Sequence, residues 1–515
     1  MNKYFKIFFG WCIFLLTTSC VDLDQEPKSW ITKEQYIGIP QDITQVQKSI
    51  SGLYNSFWNQ NYGFSCRMFR IGIGADEMVT SPKPNNAMLL IQNLTPNITL
   101  NTADWGTMWA NMWSVITGAN AIISGTPIPT DSTETAYKKV LGEAYFMRAL
   151  CYFYLVRLYG DVPMLLSPED ALQPQPRVSV ATIYDQVIVP DCKTAVNTLP
   201  STSRSGNSST PSKWAAKTLL ADVYLTMAGW PPALTVCAHK SNHDVYLTMA
   251  GWPLKKGTEY YAKSAEQTLD IINTAGLSLT PVYGDLWKEA KKAAANEHLF
   301  AIHNSVANKN PTQYGKSFYP RDYNPAGWAD YYGNPDFMNA TPSSDRKAFN
   351  YMLQWKILSG AIVSWENSMD KYPCISKYYD YNQGGPATNA LSNGLTPLYR
   401  YADVLLMYAE ASNLATGVVN TLALKCLNDV QNRAGSTVTP TGVSSAFFDK
   451  AVFDERGWEF LAEYKRWFDL VRREKLSSVK PQQYAGSVFE KYSTYYFPIP
   501  LIQTQMTGWE NNPGY

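Results

Sequence analysis

A chain of 515 residues with a formal net charge of +1 has no cationic excess, so nothing in its charge points to a nucleic-acid partner. The length suits two to four ordinary domains or one large helical one. Its 16 Trp and 34 Tyr are a heavy aromatic load, and such rings build cores but also offer flat faces with a polar handle.

The amino terminus reads as an export signal. Lys3 and Lys6 precede an apolar run over 7–16 that is too short for a permanent membrane anchor. The run ends in Thr17-Thr18-Ser19-Cys20, which looks like a lipoprotein processing site, with 1–19 as signal peptide and Cys20 as the acylated first mature residue. Thr17 stands where Leu is usual. Asp22, Asp24 and Glu26 resemble the acidic tag that sends some Gram-negative lipoproteins to the cell surface. The six cysteines beyond Cys20 are scattered without a CxxC pair, and a chain this long needs no disulfide staples.

Residues 43–57 place Val46, Ile50, Leu53, Tyr54 and Phe57 on one helical face, and 109–123 do the same with Met112, Ile116, Ala119 and Ile123. The stretch 66–104 between them is rich in Asn, Pro and Thr and reads as irregular. The longest expected helix, 136–159, stops at Gly160 with Pro163 just beyond. Its partner, 183–199, carries Pro190, which should kink or cap it. Residues 213–229 and 260–275 form a third pair, with Ala recurring among Leu and Tyr as close helix packing requires. The fourth pair is 397–414 with 421–434. The expectation is a mostly α fold of about four tetratricopeptide-type helix pairs against a loop-rich portion, in one domain spanning 20–515.

One feature breaks the pattern. The ten residues Asp222 to Pro231 recur identically as Asp244 to Pro253, and structural repeats diverge where this pair does not. Deleting one copy with its spacer restores a clean helix–turn–helix, so 232–253 reads as a recent insertion or an assembly artefact bulging as a loop. Cys237, His239 and His243 within the spacer match no standard metal spacing, and no metal or cofactor is expected.

Residues 455–473 mix Phe460, Tyr464, Trp467 and Val471 at helical spacing with Glu455, Arg456, Glu459, Glu463, Arg466 and Asp469. Charges that share turns with aromatics predict a helix embedded among others, its carboxylates and guanidiniums paired internally. The text E-R-x-W-E-F…E…R-W-F-D-L-x-R resembles the C-terminal signature of the SusD/RagB family of nutrient-binding outer-membrane lipoproteins. A-Y-F-M-R-A-L-C-Y-F-Y-L-V-R-L-Y-G-D-V-P from Ala144, L-Y-R-Y-A-D-V-L-L-M-Y-A-E-A from Leu398, N-D-V-Q-N-R-A-G from Asn428, Y-Y-F-P-I-P from Tyr495 and the final N-N-P-G-Y resemble it too.

The resemblance implies a SusD-like fold and a non-catalytic surface lipoprotein, held at the outer membrane by lipid on Cys20. Such a protein captures an oligosaccharide and hands it to a SusC-like TonB-dependent transporter. Its loop insertions are expected near 66–104, 232–253 and 305–395. Family glycan sites are aromatic arcs from two regions, here the turn 101–106 and the loop 314–339. Trp105 and Trp328 are the implied platforms, joined by Tyr323, Asp322 and Tyr331; Arg321, Asn324 and Asp330 are further hydrogen-bonding candidates. Independently of the family, aromatics on a Pro/Gly-rich loop have no helical stripe to serve, and a sugar's C–H face stacks on such rings while its hydroxyls need planar polar partners. The alternatives are a peptide-binding RagB-like member and a glycoside hydrolase. The latter needs two carboxylates facing one bond, whereas Glu459 and Glu463 sit beside arginines.

Overall fold

The structure, a computed structural model, describes residues 42–58, 64–83, 88–95, 102–229, 254–292, 295–305, 307, 314–323, 327–379, 393–492 and 495–515. Helix α1 (Ile43–Trp58) buries Val46, Ile50, Leu53 and Phe57, the stripe that its spacing dictates. The stretch expected to be irregular holds two helices, α2 (Phe64–Ile73) and the short α3 (Met88–Gln92). Helix α4 (Thr102–Gly125) starts well before Trp109, so the anticipated turn at 101–106 is helical backbone from Thr102 onward.

Helix α5 (Glu134–Tyr159) is the centre of the stack. Nearly every side chain from Val140 to Tyr159 is buried, so neighbours cover it on all sides. Gly160 ends it at φ 72°, and a Cβ there would meet the Tyr496 ring at 2.8 Å. Its charges are met internally: Arg148 grips Asp191 through two nitrogens at 2.7 and 2.8 Å and also reaches Asn120. Arg157 lies over the rings of Phe153 and Phe468, at 3.6 and 3.9 Å from their centroids.

The expected kink at Pro190 takes a specific form. A turn at Val180–Ile183 runs into a π-helical segment, Tyr184–Ile188, before α6 (Val189–Thr198) begins with Pro190 in its first turn. The Val189 N–H bonds back to the Tyr184 carbonyl, and the proline, which has no N–H, sits where the wider turn asks none of it. Next come α7 (Lys213–Ala228), α8 (Thr258–Thr274), α9 (Tyr401–Thr416) and α10 (Thr421–Arg433). Helix α4 packs between α1 and α5; then α5 lies on α6, α6 on α7, α7 on α8, α8 on α9, and α9 on α10. This is the mostly α stack of paired helices that the sequence predicts.

Two expectations change. Residues 397–400 are not helical: Leu395–Arg400 is a strand, paired antiparallel with His298–His303, and α9 begins only at Tyr401. Asp403 accepts the Arg400 N–H and starts the helix there. Residues 455–473 are also not one helix. Helix α11 (Ser445–Glu459) stops, Ala462 and Tyr464 turn at φ 57° and 66°, and α12 (Arg466–Arg472) resumes. Backbone groups of the break are claimed from outside. Lys377 donates to the Leu461 carbonyl at 2.8 Å, Tyr378 OH to that of Ala462 at 2.7 Å, and the Ala462 N–H reaches Glu77 at 3.3 Å. Partners distant in sequence outweigh the local helical period.

The charges of this segment are paired inside the body, as expected. Arg456 reaches Asp469 at 2.9 Å within the segment, Arg400 reaches Glu459 at 2.9 Å and Glu463 at 2.8 Å, and Arg346 reaches Glu459 at 2.8 Å. Burial alone would raise the Glu459 carboxyl, but the charges of Arg433, Arg400 and Arg346 overcome it and hold it down at about 2.

Candidate functional site

The candidate loop is a fold-back built on its own backbone. Tyr314–Phe318 forms a short helix, and the chain then returns so that the N–H groups of Gly327, Trp328, Ala329 and Asp330 bond to the carbonyls of Pro320, Lys316, Tyr319 and Ser317 at 2.8–3.0 Å. Gly327 is required at the crossing, since a Cβ there would lie 2.2 Å from the Tyr319 carbonyl oxygen. The loop's far end, Tyr332–Gly333, pairs antiparallel with Met78–Val79.

Side chains brace the same loop from three directions. Asp370 accepts from Arg321, from Tyr332 OH at 2.8 Å and from Ser81 at 3.1 Å. Asp322 accepts Trp355 Nε1 at 3.0 Å and the Met369 N–H at 2.8 Å. Tyr319 stacks on Tyr379 with ring centroids 4.0 Å apart and lies 4.4 Å from Tyr323. Tyr323 also makes an isolated antiparallel bridge to Ile357, beside the hairpin Gln354–Lys356 and Ile362–Ser364.

Against this frame the expected site residues separate. Trp328 is 37% exposed, more than any other tryptophan whose side chain is described. Tyr323 is half-buried and Asp322 keeps its carboxylate on internal donors. Tyr331 must be corrected: it is 1% exposed with its ring 5.2 Å from Phe318, and it supports the loop from beneath instead of offering a face. Arg321 is likewise committed to Asp370, and burial pushes the Asp330 carboxyl upward. The side chain of Trp105, together with Asn324, Cys20, the segment 1–19 and the repeated segment 230–253, lies outside the described residues. No described contact brings α4 and the Trp328 loop together as one arc.

Two residues that the sequence reading passed over stand at Trp328. Lys316 holds its Nζ 5.8 Å from the indole centroid, and Lys83 donates to the Trp328 carbonyl at 3.3 Å. Lys83 comes from another part of the chain, and lysines in polar loops carry no signal by themselves. A separate cavity of about 430 Å³ lies beside α4, lined by Trp109, Trp113, Trp509 and Met506 among others.

The family profile described as "SusD family" matches residues 302–515, and one described as "Starch-binding associating with outer membrane" matches residues 23–225. The chain belongs to the SusD family. Among its relatives within the family, SusD-like protein P2 of Formosa agariphila is 26% identical over the whole of both chains. A crystal structure of a SusD superfamily protein from Parabacteroides distasonis is 25% identical, with a TM-score of 0.74 over 92% of this chain and 98% of that one. Surface glycan-binding protein A from Bacteroides thetaiotaomicron, solved with laminarihexaose, shares the fold at 17% identity, with a TM-score of 0.69 over 92% and 99%. The mostly helical SusD-like architecture expected from the sequence is therefore the observed one. Among the described residues of this SusD-family chain, no helix is long and apolar enough to cross a membrane.

Proposed function

We propose that this chain is a non-catalytic surface protein that captures an oligosaccharide on the Trp328 loop. Lipid on Cys20 tethers it at the outer membrane, and it passes its ligand to a SusC-like TonB-dependent transporter beneath. The observation that carries the reading is Trp328 itself: a large ring left partly open to water on a loop whose described neighbours are braced. A ring needed only to pin the loop would be covered, as Tyr331 and Tyr319 are. Tyr323, half-buried at the same loop, adds a second ring at its margin. Trp105 is the partner platform that the family resemblance supplies.

The family description's wording on starch and outer membrane, and the laminarihexaose in a structural neighbour, support the same reading. Glu459 and Glu463, the carboxylate pair weighed as hydrolytic, are enclosed by arginines and out of contact with solvent. The deciding experiment is affinity electrophoresis in gels carrying laminarin or other glycans. Retention of the natural chain and its loss in Trp328→Ala, with an unchanged melting temperature, are the expected results. Equal retention by both would remove Trp328 from the site. Binding of peptides and of no glycan would move the reading to RagB-like peptide capture.

A further inference from the structure

Two ammonium groups converge on Trp328, and neither has a carboxylate partner among the described residues. Lys316 leaves the end of the short helix Tyr314–Phe318 and places Nζ 5.8 Å from the indole centroid. That is near the outer limit of a cation–π contact, so the ring only weakly engages it. Lys83 arrives from the chain that follows the Met78–Val79 strand and spends one donor on the Trp328 carbonyl at 3.3 Å. An ammonium carries three donors, and the other two have no hydrogen-bond partner among the described residues.

The loop's carboxylates do not answer these charges. Asp322 is bound by Trp355 Nε1 and the Met369 N–H, and Asp370 by Arg321, Tyr332 and Ser81. Asp330 is hydrogen-bonded to Ser317 and feels the Lys83 charge, but it lies beyond ion-pairing distance of it. Three acidic groups are thus turned inward onto the scaffold, while Lys316 stands at the exposed ring and Lys83 at the backbone carbonyl of the same residue. A neutral sugar would use these ammonium groups only as hydrogen-bond donors, a task that uncharged amides perform as well. A ring that stacks on indole and also carries a negative group uses all three side chains at once.

We propose that the glycan held at Trp328 is anionic, its C–H face on the indole and its uronate carboxylate or sulfate ester paired with Lys83 and Lys316. The inference rests on the glycan-capture reading above and narrows its substrate class. Calorimetric titration of the purified chain with three probes tests it: an oligogalacturonate, a sulfated galactan oligosaccharide and neutral laminarihexaose. At low salt at least one anionic probe should bind about tenfold or more tighter than laminarihexaose, and the stronger of the two tells uronate from sulfate. The advantage should shrink several-fold near 1 M salt, where charges are screened within about 3 Å. Lys316→Gln and Lys83→Gln should each weaken anionic binding by roughly three- to tenfold. Lys316→Gln touches no backbone carbonyl, so it separates the charge from any relaxation of the loop. Laminarihexaose bound as tightly as both anionic probes at low salt would overturn the anionic inference and leave glycan capture standing. Retention of none of the three, with peptides bound instead, would overturn both.

Discussion

The surroundings of Arg400 and of Trp328 are made from the same materials: aromatics, carboxylates and basic side chains. At Arg400 every charge is enclosed and answered, by Glu297, Glu459 and Glu463 on one side and by the rings of Trp287 and Phe460 on the other. At Trp328 the carboxylates are answered from within, while a ring and two ammonium groups are left facing outward. Closure makes the first region a determinant of fold. Incomplete closure, held on a rigid frame, makes the second a surface with capacity to spare. The distinction is between residues whose removal unfolds the chain and residues whose removal leaves an intact chain that no longer binds.

The largest effect should come from Arg400→Met. Three fully buried carboxylates would then share Arg346, Arg433 and Lys377, and breaking a buried pair by removing one partner costs about 3–5 kcal/mol. Denaturant titration should show that loss, or expression should fail. A variant as stable as the natural chain would end the claim that this network is structural. Trp467→Ala sets the same contrast in one residue type. Trp467 is 2% exposed, packs on Phe489 and Phe497, and crowds Gly74, so truncation should cost about 3–5 kcal/mol. Trp328→Ala should cost clearly less than Trp467→Ala, because its ring is 37% exposed where that of Trp467 is enclosed.

Most of the fold was legible because helical stripes are a local signal. Val46, Ile50, Leu53 and Phe57 announce their helix within a few turns, and Gly160 with Pro163 announce the end of another. What was not legible depends on partners distant in sequence. The break at 460–464 exists because Lys377, Tyr378 and Glu77 take its backbone groups, and the start of α9 at Tyr401 because His298–His303 pairs with the preceding strand. The candidate site divides in the same way. A Pro/Gly-rich loop full of aromatics marked 314–339, but which ring faces outward depends on packing: Tyr331 sits over Phe318 and Trp328 does not. Lys83 was invisible because only the fold brings it to that loop.

A smaller effect comes from Glu77, which stands between the two regions, below the break and beside the strand that braces the Trp328 loop. Burial, with the charge of Asp76 adding to it, pushes its carboxyl up to about 8, from an ordinary 4.5. The folded chain therefore keeps a proton that the unfolded chain has lost by neutral pH. That contribution is whole below about 4.5, declines as pH rises, and is gone above about 8. Glu77→Gln should remove this decline. Denaturant titrations at pH 5 and pH 8 should differ less in the variant than in the natural chain, by on the order of 1–3 kcal/mol. Equal differences would mean that Glu77 is ionised throughout.

The smallest effect expected is from removing residues 232–253, one copy of the repeated text with its spacer. Those residues lie outside the described chain, but both of their flanks are fixed. The Lys256 N–H bonds to the Met227 carbonyl at 2.9 Å and the Gly257 N–H to that of Ala228 at 3.0 Å, so the end of α7 and the approach to α8 already meet. Tyr261 OH donates to the Gly229 carbonyl across the same junction. Joining Pro231 to Leu254 leaves all three bonds available, and shortening a closed segment recovers only a little chain entropy, about 0.6 kcal/mol per halving of its length. The deletion variant should therefore melt within a few degrees of the natural chain, at the same or a slightly higher temperature. A large drop would mean that the second D-V-Y-L-T-M-A-G-W-P packs on the body and does more than interrupt it.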